Sequence, residues 1–115
     1  MVDISKTRED LIFRAATEVG ALASGQSLAA EEYETIDNLV DPLVMQLSYD
    51  GIVHVQDTNE IQPEHFIPLA RLLANEAAIS FGQAYSRDVK IINETILLRL
   101  TSMRPTYEVL EGDYF

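Results

Sequence analysis

The stretch FIPLARLLANEAAISFGQAY, residues 66–85, decides the fold of this chain, since its twenty residues contain only two charges. Its apolar residues recur at helical spacing in two rows, and a helix that is apolar on more than one side is normally buried among other helices. We expect a central helix over about 67–85 of a small soluble bundle, because Pro68 and polar residues make a membrane span a poor interpretation. The two rows comprise Phe66, Ala70, Leu73, Ala77, Phe81 and Ala84, and Leu69, Leu72, Glu76 and Ile79.

Length and cysteine content limit the classes of protein to consider. A chain of 115 residues fits a single domain. It has no cysteine, which excludes disulfides, thiolate catalysis and cysteine-based zinc sites. The opening MVDISKTRED has no apolar run, so no signal peptide is expected, and the default compartment is the cytoplasm of the cell that makes the chain.

Charge is distributed unevenly along the chain. Nineteen acidic residues face eight basic ones, and residues 15–70 contain no lysine or arginine. Phosphate binding needs clustered cations, so the chain as a whole is not expected to clamp nucleic acid. The acidic surface either serves solubility or meets a basic face on another copy. Half of the basic residues fall between residues 86 and 104, namely Arg87, Lys90, Arg99 and Arg104.

Two helices are predicted before the central one. Thr7 is expected to cap the first, which should end near Ala23. Ser27 is expected to cap the second, Pro42 to kink or break it, and Asp50-Gly51 to end it. The apolar stripe of the first helix comprises Leu11, Ile12, Ala15, Ala16, Val19 and Leu22, and that of the second comprises Tyr33, Ile36, Val40, Leu43, Val44 and Leu47.

The remaining segments complete an all-α prediction. The β-branched and turn residues predict a short β-hairpin formed by residues 52–55 and 60–62. Pro63 fits the first turn of a short helix before the central one. Ser86 should cap the last helix, which Arg104-Pro105 should end. The fold class expected is a four-helix bundle (domain 1–104) with a hairpin between helices two and three and an extended tail (105–115). The last helix has apolar residues at helical spacing, namely Val89, Ile92, Ile96, Leu100 and Met103.

A search for catalytic chemistry finds no constellation of residues that would support it. His54 and His65 lie in no metal-ligand spacing, and no nucleophile elbow or phosphate-binding glycine loop occurs. We therefore expect no metal, no cofactor and no catalytic residue. An enzyme acting on the cell wall through Glu31 or Glu34 is the least favoured alternative, because those carboxylates read as an exposed cluster without a tuned neighbour.

Four stretches together resemble a known family. They are SKTREDLIFRAATEVGAL in the first helix, YETIDNLVDPLVMQLSYDGIV in the second, IQPEHFIPLARLLANEAAISFG at the start of the central helix, and GDYF at the end. In these stretches the chain is similar to the small helical head-to-tail connector proteins of tailed bacteriophages, also called adaptor, tail accessory or packaged-DNA stabilisation proteins.

The resemblance implies a structural role in the virion. Members form a ring, commonly of twelve copies, beneath the portal vertex, and DNA passes through without sequence-specific binding. The C-terminal segment embraces the portal protein, and a tail or stopper protein binds the other side. The alternative is a small acidic module for protein interaction or regulation.

Three sets of contact residues follow from placing the chain in that assembly. The portal would be bound by the apolar tail, the neighbouring subunit by the oppositely charged helices, and a further component by the hairpin. The tail residues are Tyr107, Val109, Leu110, Tyr114 and Phe115; the subunit contacts are Glu31, Glu34, Asp37, Arg87, Lys90, Arg99 and Arg104; the hairpin residues are His54, Asp57 and Asn59.

Overall fold

The computed structural model describes residues 5–20 and 27–113, with side chains as far as residue 102. The predicted all-α class is confirmed for this part of the chain, in which four helices occur. The third helix contacts the three others, as expected of the central element. The helices are α1 (Arg8–Glu18), α2 (Ala30–Tyr49), α3 (Pro63–Ala77) and α4 (Arg87–Asp113), and a 3-10 turn, Ala78–Phe81, follows α3.

The central helix α3 begins and ends at residues other than those predicted. Pro63 occupies its first turn, where a missing N–H costs nothing, and the helix then runs through Pro68 instead of starting again there. Pro68 removes only the bond to the Glu64 carbonyl, and its ring is buried. The helix stops at Ala77 and not near residue 85, because Gly82 closes the 3-10 turn with φ +79°, which an L side chain rarely adopts.

The hydrophobic core forms around α3 and confirms most of the predicted rows. The apolar members of both rows are buried as far as Ala77, whereas Glu76 is exposed. Three alanines in this helix allow the neighbouring helices to approach closely. Ala84 and Ile79 are exposed, since they lie beyond the helix end. Each large side chain buried here contributes about 1.5–3 kcal/mol before ordering costs. The largest fully buried side chains are Leu11, Ile12, Ile36, Leu47, Ile61, Leu69, Leu73, Leu97 and Val40.

Helix α1 starts where the sequence predicts and ends earlier. The Thr7 hydroxyl accepts a hydrogen bond from the Asp10 N–H at 3.1 Å, and the Asp10 carboxylate accepts one from the Thr7 N–H at 3.1 Å. The helix ends at Glu18, and Gly20 follows with φ +82°, so the predicted end near Ala23 is wrong. Leu22 of the predicted stripe lies outside the described residues.

Helix α2 keeps its predicted inner face and its predicted end. The predicted cap Ser27 is wrong, because the helix begins at Ala30 and its N-cap is Ala29. Leu28, which precedes the helix, packs against the core. The helix continues through Pro42 without a break. Gly51 has φ +72° directly after the C-cap Asp50, as predicted.

The predicted β-hairpin of residues 52–62 is wrong. Ile61 pairs with Lys6 instead, through two backbone hydrogen bonds of 2.8 Å. A two-stranded hairpin is marginal by itself, whereas this loop is held by apolar residues inserted into the core. Those buried residues are Ile52, Val53 and Ile61.

Helix α4 begins as predicted and continues further. The Ser86 hydroxyl accepts a hydrogen bond from the Val89 N–H at 3.2 Å, which confirms Ser86 as the cap. The helix runs through Pro105 to Asp113, so the predicted end at Arg104-Pro105 and the extended form of 105–113 are wrong. A residue before proline disfavours helical angles without excluding them, as the prolines inside α2 and α3 also illustrate.

The inner row of α4 differs from the apolar spacing in the sequence. Asn93 and Leu97 are buried against the rest of the molecule, while Ile92 is 58% exposed. Among the described residues, no helix is long and apolar enough to cross a membrane.

Two buried asparagines, Asn75 in α3 and Asn93 in α4, differ in their hydrogen bonding. The Asn75 amide donates to the Ser86 carbonyl at 2.8 Å and accepts from the Ser86 N–H at 2.8 Å, so it holds the start of α4 against α3. The Asn93 amide donates only to Val89 of its own helix, and its buried Oδ1 has no hydrogen-bond partner among the described atoms.

We predict that Asn75→Ala lowers the free energy of unfolding by about 2 kcal/mol, because two backbone groups at Ser86 lose their partners. Asn93→Leu is the matched control and should leave stability unchanged or raise it, since it removes a buried acceptor without a donor. Urea unfolding followed by circular dichroism measures both. Equal losses in the two variants would contradict this assignment.

Candidate interaction surfaces

The outward face of α2 carries one stripe that is acidic in its first part and apolar in its last. Its members, which we call the α2 stripe, are all exposed and lie at helical spacing. Met45 is 70% exposed and Tyr49 is 89% exposed, although large apolar side chains next to each other on a helix are usually covered. The α2 stripe comprises Glu34, Asn38, Asp41, Met45 and Tyr49.

The outward face of α4 carries a matching stripe with basic and apolar members. Those residues, which we call the α4 stripe, are exposed because α4 rests on α3 through its opposite side. Among the described side chains, neither of its two arginines forms an ion pair. The α4 stripe comprises Arg87, Ile91, Ile92, Thr95, Leu98, Arg99 and Ser102.

The residues predicted for subunit contacts divide into free and internally paired groups. Glu31, Glu34, Arg87 and Arg99 are exposed. Two others form ion pairs within the subunit: Asp37 with Arg8 at 2.6 Å, and Lys90 with Glu94 at 3.0 Å. The side chain of Arg104 lies outside the described part. The hydrogen bond from Lys90 to Glu94 raises the pKa of Lys90.

Arg8 joins three parts of the chain that are distant in sequence. Its Nε donates to Asp37 at 2.6 Å, and its Nη1 donates to Asp41 at 2.9 Å and to Thr58 Oγ1 at 3.3 Å. Its Nη2 also donates to the Asp37 carbonyl at 3.1 Å. The guanidinium therefore ties α1 to α2 and to the loop 52–62, and it neutralises part of the acidic surface.

The three loop residues predicted as a contact surface are held by neighbours in the chain. His54 Nδ1 lies 3.1 Å from Ser48 Oγ. Asp57 accepts the Asn59 N–H at 2.9 Å, and the Asn59 side chain accepts the Arg8 N–H at 3.4 Å. These bonds fix the shape of the loop and leave its outer edge exposed.

Two hollows in the described surface lie next to residues named above. One, with a volume of about 240 Å³, lies beside the loop and is lined by His54, Asp57, Glu60, Ile61 and His65. The other, of about 540 Å³, lies between the end of α1, α3 and the start of α4, and Glu18, Arg71, Asn75, Gln83 and Asn93 line it. In the part of the chain that the structure describes, no group of three or more metal-ligating side chains is placed to hold an ion.

The predicted portal-docking residues lie at or beyond the end of the described chain. The backbone at Tyr107, Val109 and Leu110 belongs to α4, while their side chains are not among those described. Tyr114 and Phe115 lie outside the described residues.

Sequence reasoning missed the Arg8 cluster and the exposed apolar residues. A basic residue in the first turn of a helix is unfavourable to the helix dipole, which is a signal that Arg8 has a specific partner. Met45 and Tyr49 are four residues apart and lie off the inner stripe of α2, which is a signal of a second apolar face.

Comparison of the chain with models of protein families, with curated proteins and with solved structures gives no match in any of the three.

We predict that Arg8→Met lowers the free energy of unfolding by about 1.5–3 kcal/mol, because hydrogen bonds to charged groups on α2 are lost at a partly buried site. Arg14→Met is the matched control: Arg14 pairs with Glu18 on one exposed turn of α1, and its loss should cost about 0.5 kcal/mol or less. Denaturant unfolding compares the two variants, and an equal cost would contradict the structural role of Arg8.

The pH dependence of stability tests the same cluster. The hydrogen bond from Arg8 holds the pKa of Asp41 below its ordinary value, so the folded state favours the ionised carboxylate. The resulting stabilisation is complete above the unfolded pKa of about 3.9 and is lost as pH falls through the lower folded pKa. The stability difference between wild type and Asp41→Asn, at most about 1 kcal/mol at this exposed position, should therefore vanish in strong acid. A difference that grows on acidification would contradict this sign.

Proposed function

We propose that this chain is a structural protein of a phage virion, a head-to-tail connector whose copies form a ring at the portal vertex. The sequence resemblance in four stretches supports this family. In the proposal, a bundle of the four helices is one subunit of the ring, the portal protein lies on one side, and a tail or stopper protein lies on the other.

The observation that carries the proposal is a pair of outward faces of opposite charge on one subunit. The α2 stripe offers exposed carboxylates and the α4 stripe offers exposed arginines, and both contain uncovered apolar residues. Two different faces that complement each other produce a head-to-tail contact between copies, and such contacts close into rings when the rotation allows it. The two faces therefore support a head-to-tail assembly, of which the proposed ring is the closed form.

The acidic surface also suits the passage of DNA. Glu31 and Glu32 lie in the first turn of α2 near the exposed Glu34, and residues 15–70 contain no lysine or arginine. A lumen lined by such carboxylates repels phosphates, so the duplex slides through without binding. In this proposal the acidic residues that do not contact a neighbour face the channel.

The C-terminal segment is proposed to bind the portal. The first part of α4 contacts α3, and its 27 residues make it about 40 Å long, against about 22 Å for the 15 residues of α3. Helix α4 is therefore longer than the helix that it packs against, and in this proposal its last part binds the portal protein. Tyr107 and Leu110 lie three residues apart within α4, which is helical spacing by sequence position.

The net charge of −11 also suits a second candidate, a small acidic module for protein interaction. Such a module needs no portal protein and no chain of contacts between copies. Its partner would be a single protein with a basic surface.

A truncation tests the connector proposal. We predict that deleting residues 104–115 abolishes recovery of the portal protein when the tagged chain is purified from the cells that make it, while the melting temperature stays close to that of the full chain. The reason is that the deleted part adds apolar contacts to the portal and lies beyond the buried row of α4. Thr106→Ala with Glu108→Ala in the full chain is the matched control, and it should retain the portal.

Two results would contradict the proposal in different ways. Normal portal recovery by the truncated chain would overturn docking through the C-terminal segment. Recovery of a single host protein, or of no partner, by the full chain would overturn the connector function and favour the acidic module.

A further inference from the structure

We infer that the α2 stripe of one copy packs antiparallel against the α4 stripe of the next copy. The inference specifies which residues form the contact between subunits and how the two helices are aligned. It rests on the proposed function, because that function requires a ring. The occupant of each stripe is a second copy of this chain.

The spacing of charged and apolar residues carries the inference. On α2, Tyr49 and Asp41 are eight residues apart, and on α4, Ile91 and Arg99 are eight residues apart. Both separations correspond to about 12 Å along a helix. An antiparallel alignment that sets Tyr49 beside Ile91 therefore also sets Asp41 beside Arg99, and Met45 falls between Ile91 and Leu98.

The ends of the two stripes agree with this direction. In the same alignment Arg87 lies beyond Tyr49, beside the exposed Asp50 and the last carbonyls of α2, where the helix dipole favours a cation. Asp41 remains available to Arg99, because its side chain is 67% exposed although it also contacts Arg8.

The parallel alignment is worse on the same criteria. It sets Glu34 beside Arg87 and Met45 beside Leu98, but it places Ile91 against Asn38 and brings Arg99 next to Met45. The apolar side chain of Ile91 then faces the amide of Asn38. The guanidinium of Arg99 faces the thioether of Met45, which carries no negative charge to pair with it. Only the antiparallel alignment gives both arginines an acidic partner.

Pairing a stripe with its own copy is also unfavourable. Two α2 stripes set carboxylates against carboxylates or against Met45 and Tyr49. Two antiparallel α4 stripes bring Arg87 of each copy near Arg99 of the other. Because like charges at close range oppose association, the contact joins two different faces and repeats from copy to copy.

Crosslinking tests the register directly, since the chain has no cysteine of its own. In the antiparallel alignment Asn38 lies opposite Ser102, and both residues are exposed. The full chain is made as two single variants of different tag length, Asn38→Cys and Ser102→Cys, which are mixed and oxidised, both alone and on material purified with the portal protein. Asn38→Cys mixed with Ile91→Cys is the matched control for the parallel alignment, since Ile91 and Ser102 are about 16 Å apart on α4.

The expected result is a disulfide-linked dimer of mixed tag length from Asn38→Cys with Ser102→Cys, at least tenfold more abundant than from the Ile91→Cys control. Circular dichroism and the melting temperature of each variant verify that the fold is kept. The contact is overturned by the absence of that dimer in both samples, by an excess of the Ile91→Cys dimer, or by dimers within one variant alone.

The failure of this contact and the failure of the proposed function can be told apart. Recovery of the portal protein without the Asn38–Ser102 crosslink overturns the contact and leaves the connector function in place. The crosslink without any portal recovery supports the contact and counts against the connector function.

Discussion

The structure depends on one constraint, the need to cover both apolar sides of α3. Buried residues occur along α3 from Phe66 to Ala77. Because exposing these apolar side chains to water is unfavourable, other helices must cover them. Helices α1, α2 and α4 all contact it, and the contact between α1 and α2 is secondary to the one that each makes with α3. The alanines in α3 keep these approaches close at little cost in helix propensity.

The position of α4 follows from that constraint and explains its exposed outer face. Because α4 covers α3 from one side only, Leu97 and Asn93 face inward while Ile91, Ile92 and Leu98 remain in solvent. The radius of gyration of 15.6 Å exceeds the roughly 13 Å of a compact chain of this length, in agreement with a long helix that extends past the core. The uncovered apolar residues are therefore a consequence of the same packing that stabilises the subunit.

The sequence predicted the elements better than their ends. Helical periodicity located all four helices, and Thr7, Gly51 and Ser86 were identified correctly as caps because their roles depend on local chemistry. The errors came from residues that interact over long separations. Lys6 pairs with the backbone N–H and C=O of Ile61, which the hairpin would have used. The prolines at 42, 68 and 105 gave a second kind of error, because each stays inside a helix at the loss of one backbone bond.

The candidate surfaces were predictable only in part for a related reason. The exposure of Glu31, Glu34, Arg87 and Arg99 follows from their place off the apolar rows. The pairing of Asp37 does not, because its partner Arg8 lies 29 residues away in sequence. Net charge alone also says little about contacts between copies, since each copy carries −11 and the copies repel one another at long range. At physiological ionic strength that repulsion is screened beyond about 8 Å, whereas an arginine within hydrogen-bonding distance of a carboxylate is screened much less. A chain this acidic can therefore associate with itself only through a locally matched patch, and among the described residues the exposed arginines of α4 lie beside its uncovered apolar side chains.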